Sequence, residues 1–135
     1  MGRIVALDPG SRRIGVAVSD PIGLTAQPVA VLAAGEGFLD ELGKLMAEWD
    51  TVVIVVGLPV GLDGKEGAAA DSARAFAAEV SESTGIPVEL YDERFSSVLA
   101  ERAMIAGGAS RARRRKSVDG VAAAVFLQGY LDSRP

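Results

Sequence analysis

The sequence predicts an α/β fold, with one mixed five-stranded sheet covered by helices on both faces. Two short apolar runs near the N-terminus flank a tight turn, which is typical of antiparallel strands. The later apolar runs alternate with helical patterns, which is typical of parallel strands joined through helices. The run TVVIVVG at positions 51–57 has no polar face, so we expect a strand buried on both sides.

Three strands are expected before the first helix. Residues 3–8 (RIVALD) and 14–19 (IGVAVS) flank the turn PGSRR, which predicts a hairpin. A third extended segment is expected over 27–33, after the chain breakers Pro21 and Gly23. Because strand–helix units follow this hairpin, the predicted sheet is mixed rather than wholly parallel.

One helix is predicted before the run at 51–57 and another after it. Phe38, Leu42, Leu45 and Trp49 recur at spacings of four, three and four, which predicts an amphipathic helix with its apolar stripe in the core. Residues 68–83 are rich in alanine and predict a second helix.

The C-terminal third is expected to contain one strand and two helices. IPVELY at 86–91 predicts another buried strand. Ser96 or Ser97 could cap a helix that runs to about residue 106, where two glycines end it. The segment SRARRRK at 110–116 is expected to be a polar loop that leads into a last helix over about 117–131.

Length and composition limit the kind of protein. The 135 residues fit a single domain, residues 1–135, and 49% hydrophobic against 24% charged residues permits a core. No apolar run approaches the roughly 20 residues that span a bilayer, and the N-terminal run is too short for a signal peptide. We therefore expect a cytoplasmic protein without membrane association.

The residue types that are missing restrict the chemistry. The chain has no cysteine, which excludes disulfides, thiolate metal sites and cysteine nucleophiles. It has no histidine, the commonest general base and a common metal ligand. A catalytic site would therefore depend on carboxylates, hydroxyls, lysine, arginine or a bound metal ion. A site made only of carboxylates suits hard cations such as Mg²⁺ or Mn²⁺.

Charge is distributed unevenly along the chain. The net charge is −4, which argues against a protein that coats nucleic acid non-specifically. Residues 94–116, however, carry seven basic residues and one acidic residue, a local net charge of +6. The remainder carries seven basic and seventeen acidic residues, a net charge of −10. A local basic surface of this kind can bind phosphate on an otherwise acidic protein.

Carboxylates follow the predicted strands at the points where those strands end. Asp8 ends the first strand, and Asp92 and Glu93 follow the fifth. Asp119 is expected in the first turn of the last helix. Because the carboxyl ends of parallel strands share one edge of a sheet, these groups could converge there. A divalent cation would relieve their mutual repulsion, which is the arrangement used in metal-assisted phosphoryl transfer.

Each carboxylate also has a simpler interpretation. An aspartate before Pro-Gly is often a turn former, which would make Asp8 structural. Glu93 could form a solvated ion pair with Arg94 or another arginine. Asp119 near a helix N-terminus could stabilise the helix dipole. The joint occurrence of all three on one predicted edge, in a chain without histidine or cysteine, favours a site.

The glycine-rich loop and the arginine run are open to two interpretations as well. GLPVGLDGKEG at 57–67 lacks the Walker A pattern, and its glycines could either form turns or admit a phosphate. The arginine run could be a solvated face, but its position just before Asp119 favours contact with a phosphate backbone. The candidate phosphate-binding residues are Arg94, Arg113, Arg114, Arg115 and Lys116.

Four motifs in order resemble the YqgF family of bacteria, described both as nucleases of pre-16S ribosomal RNA and as Holliday junction resolvases. They are ALDPGSRRIGVAVSD, VVGLPVGLDGKEG, YDERFSS and KSVDGVAAAVFLQGYL, and they cover nearly the whole chain. The resemblance implies an RNase H-like fold and a metal-dependent nuclease with carboxylates at Asp8, Glu93 and Asp119. This chain departs from the family pattern at Gly61 and Gly120, where larger polar residues are usual. We therefore expect it to differ from the family in its contacts with the substrate more than at the metal site.

The leading hypothesis is a Mg²⁺- or Mn²⁺-dependent endonuclease that trims the 5′ end of precursor small-subunit ribosomal RNA. Its expected partners are nucleic acid and the assembling small ribosomal subunit, and the chain itself is expected to be a monomer or a weak homodimer. The same site could cut a four-way DNA junction, for which a dimer is expected. The alternatives from other classes are a nucleotide-binding module and a non-catalytic RNA or protein adaptor.

Overall fold

A computed structural model describes residues 2–9, 12–58, 67–92 and 111–133, with the side chains of the last helix from Ala122 onward. The elements in chain order are β1 (Arg3–Pro9), β2 (Arg13–Ser19), β3 (Ala26–Ala33), α1 (Phe38–Glu48), β4 (Thr51–Leu58), α2 (Ala68–Thr84), β5 (Val88–Asp92) and α3 (Arg111–Ser133). Within these segments, no helix combines the length and the apolar character needed to cross a membrane.

The five strands form one mixed sheet in the order β3-β2-β1-β4-β5, as the sequence predicted. β1 pairs antiparallel with β2, and β2 pairs antiparallel with β3, so the expected hairpin is present. β4 pairs parallel with both β1 and β5. β1 is therefore the central strand, and the carboxyl ends of β1, β4 and β5 lie at one edge of the sheet.

Helices cover both faces of the sheet, and the alternation of side chains along β1 shows how. Val5 and Leu7 pack into the core cluster beneath α1 and α2. Ile4 and Ala6 point to the opposite face and pack into the cluster beneath α3. Successive side chains of a strand point to opposite faces, so the side chains of β1 are buried alternately on one face of the sheet and on the other.

The apolar stripe predicted for α1 is confirmed. Its buried residues are Phe38, Leu42 and Met46, while Leu45 and Trp49 are half-buried against the same cluster. The alanine-rich helix is confirmed as α2, which ends at Thr84 and is capped by Gly85 with a φ of 70°. Glycine suits this position because a left-handed backbone conformation strains residues that carry a Cβ.

The last helix begins earlier than the sequence analysis expected. α3 starts at Arg111, so the interpretation of 110–116 as a loop is wrong for residues 111–116, and residue 110 lies outside the described residues. Arginine, alanine and lysine are good helix formers, and neither glycine nor proline interrupts the chain from 111 to 119. Asp119 therefore lies in the third turn, where the dipole of the helix N-terminus offers it little stabilisation.

Burial along β5 and β4 differs from what their apolar patterns predict. β5 was expected to be buried, but its residues are half-buried or exposed, because it is an edge strand with a neighbouring strand on one side only. β4 is buried from Ile54 onward, whereas Val52 at its start is exposed. The helix predicted from Ser96 or Ser97 and most of the loop at 57–67 lie outside the described residues.

Asp20 closes the connection between β2 and β3. One of its carboxylate oxygens accepts hydrogen bonds from the backbone N–H groups of Leu24 at 2.6 Å and Thr25 at 3.0 Å. The bond from Thr25, followed by that from Leu24, holds the pKa of the Asp20 carboxyl below its ordinary value of 3.8. The hydrogen bonds favour the charged form because a carboxylate is the better acceptor.

This lowered pKa leads to a prediction for Asp20→Asn. The stabilisation by the carboxylate should be complete above the unfolded-state pKa and should be lost as the pH falls through the lower folded-state pKa. The wild type should therefore unfold at a higher temperature than Asp20→Asn at neutral pH, and the difference should shrink below about pH 4. Thermal unfolding followed by circular dichroism measures it. A difference that does not change with pH would contradict the prediction.

Candidate functional site

Asp8 lies one residue before the end of the central strand, and its side chain is half-buried. In the β1–β2 ladder it pairs with Gly15. Because it continues the alternation of Ile4 and Ala6, it points to the face of the sheet that α3 covers. The structure thus places this carboxylate at the carboxyl edge of the parallel strands, as the sequence predicted.

The strand register places the other candidate segments beside Asp8. Leu7 pairs with Val56, and Val56 pairs with Leu90, so the next row of the sheet contains Asp8, Gly57 and Tyr91. β4 separates β1 from β5, so the backbones of Asp8 and Tyr91 are about 10 Å apart. Asp92 ends β5 at the same edge and is exposed, opposite Leu58. Glu93 follows Asp92 directly, but it and Arg94 lie outside the described residues.

Two glycines flank Asp8 on its own face of the sheet. Gly15 pairs with Asp8 on β2. On β4, Gly57 comes directly after Val56, the partner of Leu7, and therefore lies beside Asp8. Both glycines are buried. Glycine inside a strand often marks a place where a ligand or another backbone comes close. The glycine-rich motif in the sequence points to Gly57 but not to Gly15, because only the strand register shows that Gly15 stands beside the carboxylate.

α3 packs against the face of the sheet on which Asp8 lies. Ala123, Phe126, Leu127 and Leu131 are buried in the cluster beneath it. Position 119 precedes Ala123 by four residues and therefore lies one turn earlier on the same side of the helix. The backbones of positions 113–116 also belong to α3, whereas the side chains of Asp119 and of this basic run are outside the described part of the chain.

Aromatic side chains fix α3 to the edge strand β5. The ring of Tyr91 stacks on Phe126 with centroids 6.5 Å apart, and it meets Tyr130 edge-on at 5.8 Å. The hydroxyl of Tyr130 donates a hydrogen bond to the carboxylate of Glu89. A Cβ on Gly129 would lie 3.2 Å from the Tyr91 hydroxyl, so a larger residue there would require the tyrosine to shift by a few tenths of an ångström. These contacts set where α3 lies relative to the strand end that precedes Glu93.

Gln128 fixes the other side of α3. Its side-chain carbonyl accepts a hydrogen bond from the N–H of Ala26 at 3.0 Å, and its amide nitrogen donates to the carbonyl of Leu24 at 2.9 Å. The same nitrogen donates to Asp132 at 3.0 Å. The last helix is thus anchored to both edges of the sheet, to β5 through rings and to the start of β3 through an amide.

A divalent cation fits the part of the site that the structure describes. The side chain of Asp8 is a hard oxygen donor at a rigid strand end, and the glycines beside it add no bulk. Among the described side chains, no three acidic groups lie together as a metal centre. Of the three candidate ligands only Asp8 has a described side chain, so the expected set of Asp8, Glu93 and Asp119 stays a prediction.

Comparison with known proteins identifies the family. The model of the RuvX family, described as Holliday junction resolvase, matches residues 2–133. The chain belongs to the RuvX family. The resemblance to the YqgF family, which is the same family, is thereby confirmed.

Relatives of this family match over nearly their whole length. A protein of Anaeromyxobacter sp. (strain Fw109-5) named "Putative pre-16S rRNA nuclease" is 46% identical over 134 residues, which are 98% of each chain. A protein of the same name from Myxococcus xanthus is 44% identical over 97% of this chain and 88% of its own. A third, from Geobacillus kaustophilus, is 44% identical over 98% and 99%.

Solved structures of resolvases share the fold of this RuvX-family chain. The resolvase of Fowlpox virus with Holliday junction DNA superposes with a TM-score of 0.57 at 12% identity, covering 97% of both chains. The RuvC protein of T. thermophilus in complex with a Holliday junction superposes with a TM-score of 0.55 at 14% identity, covering 97% of this chain and 96% of that one. The predicted RNase H-like fold is therefore confirmed.

Proposed function

We propose that this chain is a divalent-metal-dependent endonuclease that hydrolyses phosphodiester bonds in RNA and trims the 5′ end of precursor 16S ribosomal RNA. The observation that carries this proposal is the position of Asp8, a carboxylate between two glycines at the carboxyl edge of the parallel strands. Relatives that match over almost their full length bear the name of a pre-16S rRNA nuclease, which supports the choice of substrate.

In this proposal Asp8, Glu93 and Asp119 hold Mg²⁺ or Mn²⁺. The bound ion would activate a water molecule and stabilise the leaving oxygen. Asp8 pairs with Gly15 of β2 and directly follows Leu7, which pairs with Val56 of β4, so the sheet fixes the backbone from which its carboxylate would bind an ion. The flanking glycines leave room for a phosphate group to approach the carboxylate.

The basic residues of α3 and Arg94 would hold the phosphate backbone of the substrate. Because residues 111–116 are helical, the basic positions are distributed around the helix axis. Positions 115 and 116 precede Asp119 by four and three residues and share its side of α3. Position 114 lies on the far side. Arg115 and Lys116 should therefore contribute more to binding near the site than Arg114 does.

Single alanine variants, each of which removes one positive charge, test this difference. We expect Arg115→Ala and Lys116→Ala to weaken binding of the precursor RNA and to lower the slope of log affinity against log salt by about one unit each. Arg114→Ala is the control and should change both quantities less. Equal effects of all three variants would show that the run binds as a diffuse charged surface. Fluorescence anisotropy at several salt concentrations measures them.

The function itself is tested by presenting both substrate classes to the purified protein. Labelled precursor 16S ribosomal RNA and a four-way DNA junction are incubated separately with Mn²⁺, with Mg²⁺ and with a chelator. We expect metal-dependent cleavage of the RNA. Binding of either nucleic acid without cleavage, even when assembling small subunits are added, would instead favour the adaptor. Tight binding of ATP by the protein would favour the nucleotide-binding module.

The second candidate function is resolution of Holliday junctions, which the description of the family favours. A resolvase makes two symmetric cuts and therefore needs two copies of the site. Paired cuts in the DNA junction, without cleavage of RNA, would favour this candidate. Sedimentation of the protein with the junction should then show two copies per DNA, whereas the RNA nuclease can act as a monomer or a weak homodimer.

A further inference from the structure

A cavity of about 500 Å³ lies on the face of the sheet opposite to α3. The ends of β1 and β2, the connection that precedes α1, and the facing sides of α1 and α2 form its walls. Its apolar lining includes Pro9, Ile14, Phe38, Leu39 and Phe76. This volume lies within the range of pockets that bind organic groups. The cavity is separate from the candidate nuclease site, because Asp8 points to the other face.

An aromatic pair lies in the wall of this cavity. The rings of Phe38 and Phe76 are 5.6 Å apart and tilted by 36°. Phe38 is buried in the core and Phe76 is half-buried, so both rings are held in place by packing. An aromatic ring attracts a cation and also accepts the alkyl stem of a long basic side chain, and the half-buried Phe76 has more of its ring accessible for such contacts than Phe38.

The charged residues in the lining of the cavity are all acidic, within the part of the chain that the structure describes. They are Glu36 in the connection before α1, Asp40 in the first turn of α1 and Glu79 on α2. All three side chains are exposed, and they come from three separate segments of the chain. The partial positive charge of the α1 N-terminus is about half a unit, so it does not outweigh three carboxylates.

We propose that this cavity binds an arginine-containing apolar segment of a partner protein. The guanidinium group would pair with the carboxylates, while its stem and a neighbouring apolar side chain would pack against Phe38 and Phe76. Arginine fits better than lysine because its planar group stacks on a ring while it pairs with carboxylates. A nucleic acid does not fit, because its phosphates would be repelled by the carboxylates. A small amine would pair with the carboxylates only and would leave the apolar side chains of the lining without a contact.

The position of the cavity permits the partner and a substrate to bind together. Pro9 lines the cavity and directly follows Asp8, whose side chain points to the opposite face. A segment bound in the cavity would therefore contact the end of β1 on the face of the sheet opposite to the Asp8 side chain. The inference concerns binding alone and does not depend on the proposed nuclease activity.

The test uses the full chain and a labelled eight-residue peptide of alternating arginine and leucine. We expect saturable binding by fluorescence anisotropy, weaker at higher salt. The double variant Glu36→Gln/Glu79→Gln should weaken binding roughly fivefold to tenfold, because two exposed ion pairs are lost. The control Glu48→Gln/Glu82→Gln removes two exposed carboxylates from α1 and α2 outside the cavity lining, with the same change in net charge, and should leave binding unchanged.

Several results would overturn the inference. One is failure of the wild type to bind the peptide, and another is an equal loss in both double variants, which would indicate binding to the acidic surface in general. Equal binding of a peptide with serine in place of leucine would remove the role of the apolar lining. Amide chemical shifts provide the location: we expect changes at Gly35, Gly37 and Phe76, and changes clustered elsewhere would contradict the proposal.

Discussion

Replacing Asp8 with asparagine should lower the rate of metal-dependent RNA cleavage by about a thousandfold or more. The variant keeps the size of the side chain and one oxygen, but it loses the negative charge that would hold the cation. Asparagine is also a good turn former. If Asp8 served only the Pro-Gly turn that follows it, Asp8→Asn would cleave at nearly the wild-type rate. The substitution therefore separates the metal-ligand hypothesis from the structural one.

A matched control and a second measurement make this test sharper. Asp71→Asn removes an exposed carboxylate from α2, on the opposite face of the sheet, and should leave cleavage unchanged. Binding of Mn²⁺ to the folded protein should raise the unfolding temperature of the wild type. This increase should disappear in Asp8→Asn and persist in Asp71→Asn. An equal increase in all three proteins would show that the cation binds elsewhere.

Phe126→Ala should lower the free energy of unfolding by about 3–5 kcal/mol, the usual cost of removing a buried phenylalanine side chain. Phe126 is 2% exposed and lies at the centre of the contact between α3 and the sheet. It also stacks on Tyr91, which adds a specific ring contact to the burial. Denaturant unfolding measures the loss. Because α3 carries position 119, cleavage should fall even at temperatures where the variant is fully folded.

Phe38→Ala is the control for this second effect. Phe38 is 5% exposed and packs on the opposite face beneath α1, so its removal should cost a similar amount of stability. It leaves the contacts of α3 unchanged and should therefore preserve cleavage well below the unfolding temperature. If both variants lost cleavage equally, the loss would follow from general destabilisation, and the attachment of α3 by Phe126 would have no specific role.

The sequence predicted most elements because their signals are local. The turn between two short apolar runs, the helical spacing from Phe38 to Trp49 and the unbroken run of β4 each depend on neighbours along the chain. The order of hairpin and strand–helix units was enough to predict a mixed sheet with helices on both faces. The expected position of Asp8 at the carboxyl edge followed from that order and is confirmed by the strand pairing.

The errors have a common physical origin in information that a local pattern lacks. The segment SRARRRK looked like a loop because it is polar and highly charged, yet its residues have good helix propensity and continue into a helix anchored further on by Phe126 and Gln128. β5 looked buried because it is apolar, but an apolar pattern does not show whether a strand lies at the edge of its sheet.

The fold class, the family motifs and the exclusion of cysteine and histidine chemistry follow from the sequence alone, because composition and local periodicity are properties of the chain. Which residues stand beside one another, in contrast, depends on how the strands and helices pack in three dimensions. The register across three strands places Gly15 and Gly57 next to Asp8, and helix packing brings Glu36, Asp40 and Glu79 around one cavity. Register and packing arise from contacts between residues distant in sequence, and no local pattern encodes them.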